Sequence, residues 1–155
     1  MGYGKCHKGK YTLKKPKKYL GDPKKVMYRS SLERSAFIWC ENNPKIKRWN
    51  SEELVVSYRC LTDRRIHRYF VDLWIEWVDG TVTAVEIKPE KQTRPPTKPK
   101  RKTKKTTASY LGEQLIYAKN ISKWEAASHY CKKQGWKFEI WTESILKSKG
   151  VMVIY

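Results

Sequence analysis

Residues 67–89 contain two arms dense in β-branched and aromatic side chains, Tyr69-Phe70-Val71-Asp72-Leu73-Trp74-Ile75-Glu76-Trp77 and Thr81-Val82-Thr83-Ala84-Val85-Glu86-Ile87-Lys88, joined at Val78-Asp79-Gly80. Such arms around Asp-Gly predict a β-hairpin, because glycine accepts the positive φ that tight hairpin turns require. Its register decides what the chain can do. If Asp79 and Gly80 alone form the loop, Val78 pairs with Thr81, and Asp72 and Glu86 fall on opposite faces. If Val78-Asp79-Gly80 form a three-residue loop with a left-handed Gly80, Trp77 pairs with Thr81 and Asp72 lies across from Glu86. The second register is the one that makes a site, and we read the chain that way. Lys88 then shares the face of the two acids, with Val71, Leu73, Ile75, Val85 and Ile87 on the apolar side.

Two carboxylates on adjacent strands, with a lysine two residues after the second, suit phosphodiester hydrolysis. Asp72 and Glu86 would ligate a hard divalent cation, Mg2+ or Mn2+, with the Ile87 carbonyl as a third ligand. Lys88 would orient or deprotonate the attacking water and offset charge developing on phosphate. The acid-x-Lys pattern also occurs in Asp22-Pro23-Lys24, but within a Gly/Pro turn with no neighbouring strand. A surface ion pair between Glu86 and Lys88 is the plainer alternative.

The charge balance points to a polyanion. Lys and Arg number 34 against 15 Asp and Glu, a net +19 over 155 residues, as in chains that meet nucleic acid. No apolar run approaches membrane-spanning length, and the N-terminus lacks the apolar core of a signal peptide, so an intracellular protein with no membrane partner is expected. The four cysteines form no Cys-x-x-Cys pair and are read as reduced thiols. Neither Cys6-His7 nor His129 with Cys131 fits a common zinc module.

Along the chain, whose full length is 39% hydrophobic, residues 1–26 read as a basic N-terminal arm broken by Gly and Pro, and residues 27–155 as one domain. A helix is expected from about Tyr28 to Glu41, with Ser30-x-x-Glu33 as a capping box. Glu33 therefore has a structural reading besides that of a helix-borne acid assisting the site. Residues 46–49 read as a linker, 53–61 as a strand, and this strand with the two arms as a three-stranded meander. Residues 90–108 read as a mobile basic loop that tracks a phosphate backbone, with Gln92, Arg94, Lys98, Lys100, Arg101, Lys102, Lys104 and Lys105 as candidate DNA contacts. Gln92 could equally be an ordinary loop residue. Helical periodicity returns at Ser109 and ends at Gly135, with Ser122-x-x-Glu125 marking a possible break near Asn120. A strand over 136–141 returns to the sheet, a short helix begins at Thr142-Glu143, and residues 151–155 form an edge strand or fray.

The order helix with Glu33, strand, strand with Asp72, strand with Glu86-x-Lys88, helix, strand resembles the PD-(D/E)xK nuclease fold of restriction endonucleases. Its layout is similar to that of the endonuclease subunit of Tn7-type transposons. More of the chain is similar to the head-completion nucleases of contractile-tailed bacteriophages, through Gly9-Lys10-Tyr11, Gly21-Asp22-Pro23, Tyr28-Arg29-Ser30-Ser31 with Glu33, Ser51-Glu52-Glu53, His67-Arg68-Tyr69-Phe70 with Asp72, Glu86-Ile87-Lys88-Pro89 with Gln92-Thr93 and Pro95-Pro96, and Lys123-Trp124-Glu125-Ala126-Ala127 with Tyr130-Cys131 and Gly135-Trp136. The resemblance implies an α/β, restriction-endonuclease-like three-layer core with a mixed central sheet flanked by helices. It implies a metal-dependent endonuclease acting on double-stranded DNA after packaging, located in the virion head and, during assembly, the host cytoplasm. Its partners would be head or neck proteins, and if both strands are cut two sites are needed, supplied by a dimer or by recruitment to a DNA-bound complex. Asp72, Glu86 and Lys88 would be its catalytic core, with Glu33 assisting. Val71 stands where that family has proline, which removes no chemical group. Two other readings remain, a catalytically silent DNA-binding head protein of the same fold and a generic basic RNA-binding protein.

Overall fold

In the computed structural model, residues 8–153 are described. In chain order the elements are β1 (Gly9–Lys10), β2 (Met27–Tyr28), α1 (Ser31–Asn42), β3 (Ile46–Asn50), β4 (Val55–Arg59), β5 (Ile66–Phe70), β6 (Leu73–Trp77), β7 (Val82–Ile87), α2 (Lys104–Gln134), β8 (Lys137–Trp141) and α3 (Glu143–Ser148). The central sheet runs β3-β6-β7-β8, with β3, β6 and β7 antiparallel and β8 parallel to β7. A parallel return needs a crossover, and α2 supplies it.

The sheet is the middle of three layers. On one side Leu73, Ile75, Val85 and Ile87 pack with Phe37 and Cys40 of α1, Leu146 of α3 and Trp49. On the other, Ala84 packs with Ala127 and Cys131 of α2. All six residues of β7 are buried, as befits a central strand covered on both faces. This is the mixed, helix-flanked α/β core expected from the sequence.

The hairpin adopts the three-residue loop. Trp77 N donates to Thr81 O at 2.9 Å, Gly80 N donates to Trp77 O at 3.0 Å, and Gly80 has φ +90°. Leu73 pairs with Val85 and Glu76 with Val82, the register that brings Asp72 level with Glu86.

The meander, however, is broken. The strand read over 67–77 bends at Val71-Asp72, so β5 pairs with β4 in a separate two-stranded sheet while β6 joins β3 and β7. At the bend the Ile87 amide goes to Asp72 Oδ2 at 2.7 Å and the Val71 carbonyl accepts the Glu52 amide at 3.1 Å, so the next rung between β6 and β7 is not made. The chain before Asp72 turns to β4 instead, with Val71 N donating to Leu54 O at 2.9 Å. Val71 thereby packs with Val56, Tyr69 and Ala127, across the sheet from Leu73 and Ile75 with which the sequence grouped it. The 46–49 linker is instead a strand, β3, pinned to β6 by Arg48, which donates to both Glu76 oxygens at 3.2 and 3.0 Å.

The basic loop is shorter than expected. A 3-10 turn spans Glu90–Thr93, and α2 begins at Lys104 behind a Thr103–Thr106 capping box. No break occurs near Asn120: the Ser122 hydroxyl bonds back to Ala118 O at 3.0 Å, which satisfies it inside a continuous helix. Gly135 ends α2 in the left-handed conformation, φ +76°. Residues Val151 to Val153 form no strand.

The described part of the N-terminal segment is mostly exposed but is anchored by three buried residues. Tyr11, Tyr19 and Val26 enter the α1-side core, and the Glu41 carboxylate gathers the segment by accepting the Tyr11 hydroxyl at 2.8 Å and the amides of Lys14 and Lys15 at 2.8 and 3.1 Å. Cys6 and His7 lie outside the described residues. Removing the carboxylate leaves these donors without an acceptor, so Glu41→Ala should lower the unfolding free energy by about 3 kcal/mol in urea denaturation, whereas loss of a merely solvated arm contact would cost almost nothing.

Candidate active site

Four elements converge where the hairpin opens. Asp72 occupies the bend between β5 and β6, Glu86 is the penultimate residue of β7 and Glu33 lies in the first turn of α1. Lys88 follows β7. The bend explains why Asp72 can face inward: its Oδ2 accepts the Ile87 amide at 2.7 Å, a side-chain bond standing in for a backbone rung. Glu86 is buried, 5% exposed, on the α2 side of the sheet. Its Oε2 accepts the hydroxyl of Tyr69, and its Oε1 lies 3.6 Å from Lys88 Nζ.

The Glu33 backbone amide donates to the Ser30 hydroxyl at 3.1 Å. Its carboxylate accepts the Arg29 amide at 3.0 Å, one residue before the cap, so the expected reciprocal box is displaced by one position.

These acids feel one another. Burial, then the charges of Glu86 and Glu33, push the Asp72 carboxyl well above its ordinary value. Burial also raises Glu33, opposed by its bond from Arg29 and reinforced by Glu52 and Glu86. Glu52 is tied to Arg29 at 3.3 Å and has a left-handed backbone, φ +57°. Burial and the charges of Glu86 and Asp72 raise Tyr69, which keeps its proton and acts as a donor. The donor chemistry fits a divalent cation: anionic oxygens, crowded and partly desolvated, are stabilised by a hard dication.

Three participants carried no role in the sequence reading. Tyr69 and Glu52 are two. The third is Lys123 of α2, whose Nζ lies 5.6 Å from the Tyr69 ring centroid. Burial depresses this lysine, while Glu86 and Asp72 favour its charged form. A signal was available: Lys123 precedes buried Ala127 by four residues, placing it on the helical stripe that faces the sheet.

The expected DNA contacts are arranged as follows. Gln92 lies exposed on the 3-10 turn after Pro89. Arg94 pairs with Glu90 at 2.8 Å. Lys98, Lys100, Arg101 and Lys102 are exposed on the extended stretch, and Lys104 and Lys105 are exposed in the first turn of α2. Two lysines with no acid in that turn set positive charge against the positive end of the helix dipole, an arrangement relieved by an anion. A cavity of about 430 Å³ lies at the other end of the hairpin, lined by Trp77, Val78, Thr81 and Lys149 among others, and includes none of the site acids.

A family model described as TnsA-like endonuclease N terminal matches residues 43–143, a span holding Asp72, Glu86, Lys88 and Lys123. The chain belongs to this endonuclease family. The head completion nuclease of Enterobacteria phage T4 is 40% identical over 145 residues, covering 94% of this chain and 97% of that protein. The TnsA-like span begins at residue 43, so Glu33 lies upstream of it and reaches the site through α1.

The electrostatics have a measurable consequence. A carboxyl whose folded pKa exceeds its unfolded one holds its proton more tightly when folded, so its contribution to stability falls as pH rises above the ordinary 3.8 through the raised value. Without divalent ions, Asp72→Asn should therefore raise the melting temperature by roughly 2–6 °C near neutral pH. That gain should vanish as pH approaches about 4, where the wild-type carboxyl is protonated. A pH-independent difference would place the effect in packing.

Proposed function

We propose that this nuclease is a divalent-metal-dependent endodeoxyribonuclease that hydrolyses phosphodiester bonds of double-stranded DNA, with Asp72, Glu86 and Lys88 as its catalytic core. The observation that carries this reading is Asp72 level with Glu86 across the hairpin, with Lys88 Nζ 3.6 Å from Glu86. Service in phage head completion rests on the 40% identity to a protein named head completion nuclease. Head or neck proteins are then the expected neighbours, in the virion and in the host during assembly.

Asp72, Glu86 and the Ile87 carbonyl would hold Mg2+ or Mn2+, since all three offer hard oxygen donors. The chemistry such an ion supplies when bound is polarisation of the phosphate and a more acidic water. Tyr69 fixes the orientation of Glu86 by donating to Oε2, leaving Oε1 toward Lys88. Lys88 holds the attacking water in line and balances charge gathering on the phosphate oxygens. Lys123, above the Tyr69 ring, offers a second cation to that phosphate from the helical layer. Glu33 acts behind Asp72, as a positioning residue that keeps the cluster anionic.

The first test is cleavage of linear and supercoiled duplex DNA with Mg2+ or Mn2+. Glu86→Ala and Lys88→Ala should each lose at least about a hundredfold in rate, and Lys123→Met about tenfold, with DNA binding retained. A chelator should abolish wild-type cleavage. Firm binding without cleavage by the wild type under either ion would leave a silent DNA-binding protein.

The basic segment has a separate readout. Changing Lys98, Lys100, Arg101, Lys102, Lys104 and Lys105 to glutamine should flatten the dependence of log binding constant on log salt by up to about 0.9 per lost phosphate contact. The rate at saturating DNA should stay within about twofold. An unchanged slope would mean these side chains are only solvated.

A further inference from the structure

We propose that Cys60, Asp63 and His67, at the tip of the β4–β5 hairpin, form a second metal site that takes a zinc-class transition ion, distinct from the carboxylate cluster. One ligand atom from each residue, a sulfur, a carboxylate oxygen and an imidazole nitrogen, all lie within 4.8 Å of one another. Thiolate and imidazole select zinc-like ions over magnesium, and all three donors come from one short stretch, Cys-x2-Asp-x3-His.

The loop holds these donors in place before any ion arrives. Cys60 follows β4, its amide donating to Arg65 O at 2.9 Å, and Arg64, left-handed at φ +58°, returns its own amide to Cys60 O at 2.8 Å. Asp63 Oδ1 accepts the Arg65 amide at 2.9 Å, which leaves Oδ2 toward His67 Nε2 at 2.7 Å. The His67 ring stacks on Tyr58, its cross-strand partner, with centroids 5.7 Å apart and planes at 28°. Thr62 Oγ1 sits 3.0 Å from the Cys60 sulfur.

A tetrahedral ion with bonds of about 2.0–2.3 Å spaces its donors about 3.3–3.6 Å apart. Small side-chain rotations, parting Asp63 from His67 and drawing in the sulfur, reach that spacing. Three protein donors leave a fourth position for water. Two of them are anionic, which offsets the dication in a loop that also carries Arg59, Arg64, Arg65 and Arg68. The Leu61 amide donates to Ser122 of α2 at 3.1 Å, so an ion here staples the β4–β5 hairpin onto the helix that carries Lys123.

The test is titration of the chelator-stripped full-length protein with Co2+. The expected result is one equivalent giving a thiolate-to-cobalt charge-transfer band, bleached by Zn2+, together with a Zn2+-dependent rise in melting temperature. The band should be absent in Cys60→Ser, at least tenfold weaker at equal Co2+ in Asp63→Asn and His67→Ala, and unchanged in Cys6→Ser. Co2+ held by Asp72 and Glu86 produces no such band, so the two sites are read separately. If Cys60→Ser fails to fold, the two variants at the more accessible donors carry the test. A wild type without the band, or a band undiminished in any of the Cys60, Asp63 and His67 variants, would overturn the proposal.

Discussion

One extra residue in the turn before Thr81 decides which side chains of both arms reach which layer. With Gly80 at φ +90° closing a three-residue loop, Val85 and Ile87 point to α1 while Ala84 and Glu86 point to α2. Shifting β7 by one residue would drive the Glu86 carboxylate among Phe37, Trp49 and Leu146, where an unpaired charge costs several kcal/mol. It would also carry Ala84 out of the cluster it shares with Ala127 and Cys131. Both layers therefore enforce the register, and the pairing of Asp72 with Glu86 follows from core packing as much as from the turn.

A cluster of partly buried acids opposes folding, so the rest of the molecule must hold it in place. The opposite layer supplies that support through an aromatic group in which Tyr11 and Tyr19 meet Trp49 edge-on and Phe37 lies against it at 5.3 Å. Such rings bury large area and add edge-to-face attraction. Tyr11 and Tyr19 both come from the N-terminal segment, which Glu41 and a Tyr19–Trp49 bridge fasten down. The segment thus contributes to the site without touching it, by stiffening the layer on which β6 and β7 rest.

What could be read from residues alone follows local and nearest-neighbour chemistry. The Asp-Gly turn, the Ser30 cap, Gly135 and the return strand are each written in a few adjacent residues, and each is present. The acids were legible because hairpin register is fixed by the turn. What escaped depends on contacts distant in sequence. The split of 67–77 arises because Val71 bonds to Leu54 and Glu52 while Ile87 bonds to the Asp72 side chain, contacts that no local pattern announces. β3 has only Ile46 and Trp49 as apolar residues, so its strand character comes from pairing with β6, sealed by Arg48 and Glu76. Lys123 stands within a motif, Lys123-Trp124-Glu125-Ala126-Ala127, but its place at the cluster depends on which strand α2 covers.

The net charge of +19 and an anionic site answer different demands on different length scales. At physiological salt, charges beyond about 8 Å are largely screened, so the distant lysines do little to neutralise Asp72 and Glu86. The groups felt at the cluster are Glu33, Glu52, Asp72 and Glu86 against Lys88, Lys123 and Arg29, and Arg29 is committed to Glu52. That leaves three acids facing two lysines, a local deficit of positive charge inside a strongly positive protein. The exposed lysines of residues 98–105 lie on the chain leaving Lys88, where they can gather a polyanion without entering the cluster. Field and site are therefore separable: on the proposed reading the surface would raise the local concentration of phosphate, and the deficit would leave room for a cation between the acids.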